Sequence, residues 1–100
     1  MIVEIQVVPD PSGDPDQPYR HVDAAIAVIS ASGLSYDVGA LGTTVEGPAS
    51  RVWPLLQAVH EACLGSGARR VLTYVKLADW ADDESAPTAA DLTTKHRDHP

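Results

Sequence analysis

Glu4, Gln6, Thr44, Glu46, Tyr74 and Lys76 sit at alternate positions of three extended stretches, so they project from one side of any sheet those stretches build. Carboxylate, amide and hydroxyl groups in that company can fix the donors of a small molecule. Tyr74, or Tyr36 on a neighbouring stretch, can stack on a flat ring. The same residues also suit a solvated or interfacial sheet surface with a Glu–Lys pair, which contributes little when exposed. Residue types alone leave both open. The densest piece is Leu41-Gly42-Thr43-Thr44-Val45-Glu46-Gly47, with Leu41, Thr43 and Val45 on one face and Thr44 and Glu46 on the other. A glutamate mid-strand stands out there, because Glu is depleted in strands.

Other chemistries find less support. His60 and Cys63 at i, i+3 could face one zinc, but no CxxC or HxxxH supplies further ligands. Cys63 continues an apolar stripe and is expected in the core, with His60 on the helix flank making a local hydrogen bond. Asp79, Asp82, Asp83 and Glu84 lack the turn glycine of a calcium loop and read as a solvated tail, as do His96 and His99. Trp53 is expected at the core or the helix–sheet border, and Trp80 against a pocket or a subunit contact. No GxSxG, P-loop, GxGxxG or Ser/His/Asp order occurs. Neither an enzyme nor a metal or cofactor is expected; a cofactor-free rearrangement, the one catalytic alternative, lacks a positioned acid–base pair.

The bounds agree with one small domain. A hundred residues can bury one modest core, and 44% hydrophobic content is ordinary for a folded protein. A net charge of −7 argues against nucleic acid. A single cysteine excludes an internal disulfide and fits a reducing compartment. No apolar run approaches ~20 residues and no basic-then-apolar leader opens the chain, so neither a span nor a signal peptide is expected. A cytoplasmic setting follows by default.

Ile2 to Val8 alternates with period two and reads as a strand ended by Pro9, followed by a proline-rich loop over Asp10 to Pro18. Val22, Ala25, Ile26 and Ile29 give a helix over Tyr19 to Ser32 its apolar stripe, and Gly33 stops it. Ser35 to Gly39 is a second strand, before the Leu41–Gly47 strand. A second helix over Arg51 to Leu64 takes Ser50 as N-cap and tolerates Pro54 in its first turn, burying Val52, Leu55, Leu56, Val59 and Cys63. Arg70 to Leu77 is a fourth strand. Past Ala78 the chain turns acidic, and Thr88 to His96 offers one or two marginal helical turns with Thr88 as cap and Asp91 three residues on. This divides the chain into a domain over residues 1–78 and a mobile or partner-dependent tail over 79–100.

The order β-α-β-β-α-β with right-handed crossovers gives an α+β, ferredoxin-like fold, with an antiparallel four-stranded sheet and both helices on one face. The other face mixes Ile2, Val8, Leu72 and Tyr74 with carboxylates and has no third layer over it. A second protomer is the simplest cover, so a homo-oligomer packed sheet to sheet is expected.

Met1-Ile2-Val3-Glu4 with Val7-Val8-Pro9, Gly33-Leu34-Ser35-Tyr36, Gly42-Thr43-Thr44-Val45-Glu46-Gly47, His60, and Gly67 through Arg70-Val71-Leu72-Thr73 to Lys76 together resemble the YkoF-like family of small thiamine-binding proteins. The resemblance covers most of residues 1–78. It implies ferredoxin-like subunits assembled as dimers of dimers that bind thiamine or its hydroxymethylpyrimidine half without chemistry. The ligand would lie along the Gly42–Gly47 strand and adjacent strand ends. Glu46 would accept from the exocyclic amine, Thr43 and Thr44 would give hydroxyl or backbone contacts, Tyr36 would form a wall, and Gln6 and Asp79 would add contacts. Ala78-Asp79-Trp80 stands where the family carries an Asp-Asp-Arg run, and the loop after the first strand is longer and richer in proline. The alternative is a structural or regulatory interaction module, docking a protein through Trp80 and the acidic tail.

Overall fold

The computed structural model describes residues 1–97, so His99 lies outside the described residues. Strand β1 (Ile2–Asp10) pairs antiparallel along its whole length with β4 (Arg70–Ala78), from Ile2 opposite Ala78 to Asp10 opposite Arg70. On its other side β1 pairs with β3 (Thr43–Glu46), which pairs in turn with β2 (Ser35–Val38). The sheet order β2-β3-β1-β4 is the ferredoxin-like one, with helices α1 (Arg20–Ala31) and α2 (Ala49–Gly65) packed on one face.

The core forms where the period-two and period-3.6 stripes meet. Val3, Ile5 and Val45 from the sheet pack with Ala25 and Ile29 of α1 and with Val52, Leu55, Val59 and Cys63 of α2. Burying each large aliphatic side chain stabilises the fold by roughly 1.5–3 kcal/mol. His21 joins this interior as a buried polar residue, its Nδ1 2.5 Å from Ser66 Oγ, while the Cys63 thiol points to the His21 carbonyl at 3.4 Å. These contacts tie the start of α1 to the end of α2. His21 precedes Ala25 and Ile29 by four and eight residues, so it extends the same helical stripe.

Several boundaries differ from expectation. Pro9 does not end β1: it is buried, opposite Val71, and the strand continues to Asp10. Pairing between β1 and β3 stops at Ile5, so at Pro9 the strand has a partner on one side only, where proline is tolerated. Helix α2 starts at Ala49 behind an extended Pro48 (φ −66°, ψ 145°), so Ser50 lies inside it and is not the N-cap. Pro54 therefore falls in the second turn, and the missing donor leaves the exposed Ser50 without its i+4 hydrogen bond. Trp53 is 57% exposed on the outer side of α2, away from the core. Leu41 sits in the β2–β3 turn at 81% exposure rather than in a strand.

The sheet's second face also departs from expectation over β2 and β3. After β4, a single 3₁₀ turn (Asp83–Ser85) leads into helix α3 (Ala89–Arg97), which lies across that half of the face. A capping box explains why a helix forms in so polar a stretch. Thr88 Oγ1 accepts from the Asp91 N–H at 3.0 Å, and Asp91 Oδ2 accepts from the Thr88 N–H at 2.9 Å. Among the described residues the β1–β4 half of the face has no such cover, and Leu72 and Tyr74 remain exposed there.

Candidate functional site

The strand registers arrange the polar residues of the second face in rows. Asp37 on β2, Thr44 on β3, Glu4 on β1 and Lys76 on β4 stand opposite one another in sequence, one row across the whole sheet. Ser35, Glu46, Ile2 and Ala78 form the adjacent row, and Gln6 faces Tyr74 beyond Glu4 and Lys76. Lys76 Nζ lies 3.8 Å from Glu4 Oε1, an exposed pair worth about 0–1 kcal/mol.

Between α3 and this face is a groove of about 210 Å³, lined by Ser35, Tyr36, Asp37, Thr44 and Glu46 from the sheet and by Ala89, Ala90, Thr93, Thr94 and Arg97 from the helix. Drug-sized pockets run to roughly 300–1,000 Å³, so this one suits a single ring with a polar substituent. Glu46 Oε2 accepts from the Ala89 N–H at 2.9 Å, and Arg97 Nη2 donates to Asp37 Oδ2 at 3.2 Å. A shallower hollow of about 230 Å³ lies beside it over β1 and β4, bordered by Glu4, Thr44, Lys76 and Ala78. A third cavity, of about 250 Å³, opens on the helix side between α1 and the β2–β3 turn, walled by Ile5, Val22, Ile26, Ile29 and Thr43.

The residues picked from the sequence divide between these places. Thr44 and Glu46 meet in the groove under α3, with Asp37 and Ser35, which the sequence did not single out. Asp37 and Ser35 alternate along β2, the signal that would have placed them with Thr44 and Glu46. Tyr36 lines the same groove but stands opposite Val45, in the register of the helix side. Thr43 is 5% exposed and faces the helix-side cavity, so its side chain and that of Glu46 serve opposite faces of the sheet. Gln6 borders the helix-side cavity from an exposed position across from Tyr74. Asp79 lines none of the three and sits 4.0 Å from the Met1 amino group. Trp80, half-buried just past β4, lines none of them either.

His60 does not make a local contact: its Nδ1 lies 2.6 Å from Thr73 Oγ1, joining α2 to β4. Cys63 is fully buried, and burial pushes its thiol pKa up, away from a metal-binding or nucleophilic thiolate. Among the described residues no group of three His, Cys, Asp or Glu is placed to hold a metal ion. The sheet wall of the groove carries two carboxylates and two hydroxyls, groups that accept hydrogen bonds and attract positive charge, and the helix wall carries Arg97.

Comparison with known proteins bears on these features. The family model for thiamine-binding proteins matches residues 3–95. A UPF0045 protein of Clostridium perfringens is 32% identical over 75 residues, covering 75% of this chain and 77% of that one. Among solved structures, a domain of unknown function (DUF77) from Bacillus cereus superposes with a TM-score of 0.84 at 31% identity, covering 97% of this chain and 89% of that one. A candidate thiamine biosynthesis or salvage protein from Thermotoga maritima superposes at 0.78 with 25% identity, covering 96% and 97%.

Proposed function

This chain belongs to the thiamine-binding protein family, and on that premise we propose that it is a non-catalytic binding protein for thiamine or a related hydroxymethylpyrimidine compound. The observation that carries the assignment to a site is the meeting of Asp37, Thr44 and Glu46 beside a groove of one-ring size. An aminopyrimidine offers an exocyclic amine and ring acceptors at its edge, which match a carboxylate and hydroxyls. A thiazolium cation extending from the one-ring groove gains from a nearby carboxylate, and Asp37 supplies it. Glu46 accepts from the amine, Thr44 bonds the ring edge, and Tyr36 bounds the groove; Thr43, Gln6 and Asp79 stand outside it. We further infer that the working unit is a homo-oligomer, a dimer or tetramer, in a reducing, cytoplasmic setting consistent with the free Cys63.

Calorimetric titration with thiamine, hydroxymethylpyrimidine and an unrelated heterocycle tests this. Binding of the first two alone is expected, and a thermal shift should accompany it, since ligand at a hundredfold its Kd adds ~2.7 kcal/mol of stability. Glu46→Gln should remove binding and leave the oligomer intact. The half-exposed Leu72 and Tyr74 favour a second reading, an interaction module without a small ligand. Under it, Glu46→Gln changes assembly only and no thiamine-related compound shifts the melting temperature at millimolar levels.

A further inference from the structure

Helix α3 holds the groove in an unusual way. It buries none of its nine residues, and Leu92, its one large apolar side chain, is half exposed. A helix that short is marginal by itself and normally depends on an apolar face packed against the core. Two polar ties link it to the sheet, beside the half-buried Ala89 and Thr93, and both land on the carboxylates of the groove. The Ala89 N–H, at the positive end of the helix, reaches Glu46 Oε2, and the Arg97 guanidinium reaches Asp37 Oδ2. An amine N–H and a cation are also what the proposed ligand would offer those two residues.

We propose that α3 is a displaceable cover that occupies the groove with its own amide and guanidinium, so that ligand and helix compete for Glu46 and Asp37. This rests on the thiamine reading of the groove. The link between β4 and α3 is exposed from Ala81 to Ser85, with Trp80, Ala86 and Pro87 half-buried on either side, so the helix is joined to the sheet domain mainly through exposed chain and its two ties. The competition lowers apparent affinity according to the fraction of molecules in which the two ties are open. It also makes the ligand and the two ties mutually exclusive, while α3 remains as the outer wall of the groove.

Ala89 opens α3, and proline is favoured at the first helical position because its missing N–H has no intrahelical partner there. Ala89→Pro therefore deletes the bond to Glu46 while keeping the helix. Arg97→Gln, at an exposed position, deletes the other tie. In the full chain, titrated with thiamine, the double variant should bind about five- to a hundredfold more tightly than the wild type, the usual range of coupling between two sites. Arg97→Gln alone should shift affinity the same way by less, which covers a failure of the proline variant to fold. Ala89→Gly keeps the N–H and should bind less tightly than the proline variant. Thiamine should also speed amide exchange across residues 89–97 of the wild type. Unchanged or weaker binding by the variants, or slower exchange on adding thiamine, overturns the cover and leaves the binding function standing. If neither wild type nor variants bind thiamine, the functional assignment and the cover fall together.

Discussion

The Cys63 thiol is sealed in the core with Val52, Val59 and Ile29, and burial raises its pKa because the low-dielectric interior disfavours the thiolate. The folded state thus prefers the neutral thiol. Its contribution to stability is complete below the ordinary thiol value of 9.0 and is lost as pH climbs through the raised value. Iodoacetamide at pH 8 should leave the native protein essentially unmodified and alkylate it readily in denaturant, with mass spectrometry as the readout. Alkylation of the native protein at the denatured rate would show that the core opens. Ile29, also fully buried, sits where α1 meets the sheet, and Ile29→Ala should cost about 2–5 kcal/mol in urea unfolding. Such residues were legible in the sequence because stripes of Val, Ile and Leu at helical and strand spacing have one favourable destination. Trp53 and His60 were not. Nothing in residue type says that an indole at that position faces water, or that the His60 ring finds Thr73 thirteen residues on.

Element boundaries depend on subtler balances than element identity. Gly33 ends α1 at φ 78°, with nothing near the place a Cβ would occupy. Gly33→Ala should therefore cost only the left-handed backbone term, about 1–2 kcal/mol, and Gly33→Asn less, as read from urea midpoints. Helix α3 has a pH limit of its own. Hydrogen bonds from the Thr88 backbone and side chain hold the Asp91 carboxyl below its usual 3.8. A depressed folded pKa means stabilisation that is present above the unfolded value and disappears as pH falls through the lowered one. Amide protection factors over residues 89–97, corrected for the intrinsic pH dependence of exchange, should hold from neutral pH to about 4, then fall below that range while the core amides keep theirs. Simultaneous loss of both would mean that α3 and the core unfold as one unit. The capping box was visible as Thr88 and Asp91 three residues apart. The docking of α3 on the sheet was not, because its contacts to Glu46 and Asp37 span 43 and 60 residues and leave no periodic trace in so polar a segment. For the same reason the groove was half legible. Alternation placed Thr44 and Glu46 together, while its other wall came from a stretch that reads as solvated tail.

At the scale of the molecule, α3 makes the two halves of the sheet unequal. Over β2 and β3 the second face is covered; over β1 and β4 no described residue covers it, and Leu72 and Tyr74 are each at least half exposed. Strand β4 is also an edge nine residues long, and on its helix side Val75 and Leu77 are exposed as well. Long edges with apolar residues on both faces invite pairing, and soluble proteins normally blunt or cover them. Lys76 is the one charged residue between Val71 and Ala78, a modest deterrent. A second copy is the expected cover, now centred on the β1–β4 half rather than on the whole face. Each copy carries a formal charge of −7, so assembly must overcome mutual repulsion, which salt screens within about 10 Å at 0.1 M. Light scattering at micromolar concentration should report a mass above the 10.6 kDa of one chain, with the larger species favoured as salt rises. Leu72→Glu with Tyr74→Glu should return the protein to one chain and leave its circular dichroism unchanged, because both side chains are already in contact with water. A single-chain mass at low and high salt alike would mean that the bare half of the sheet does not face another copy.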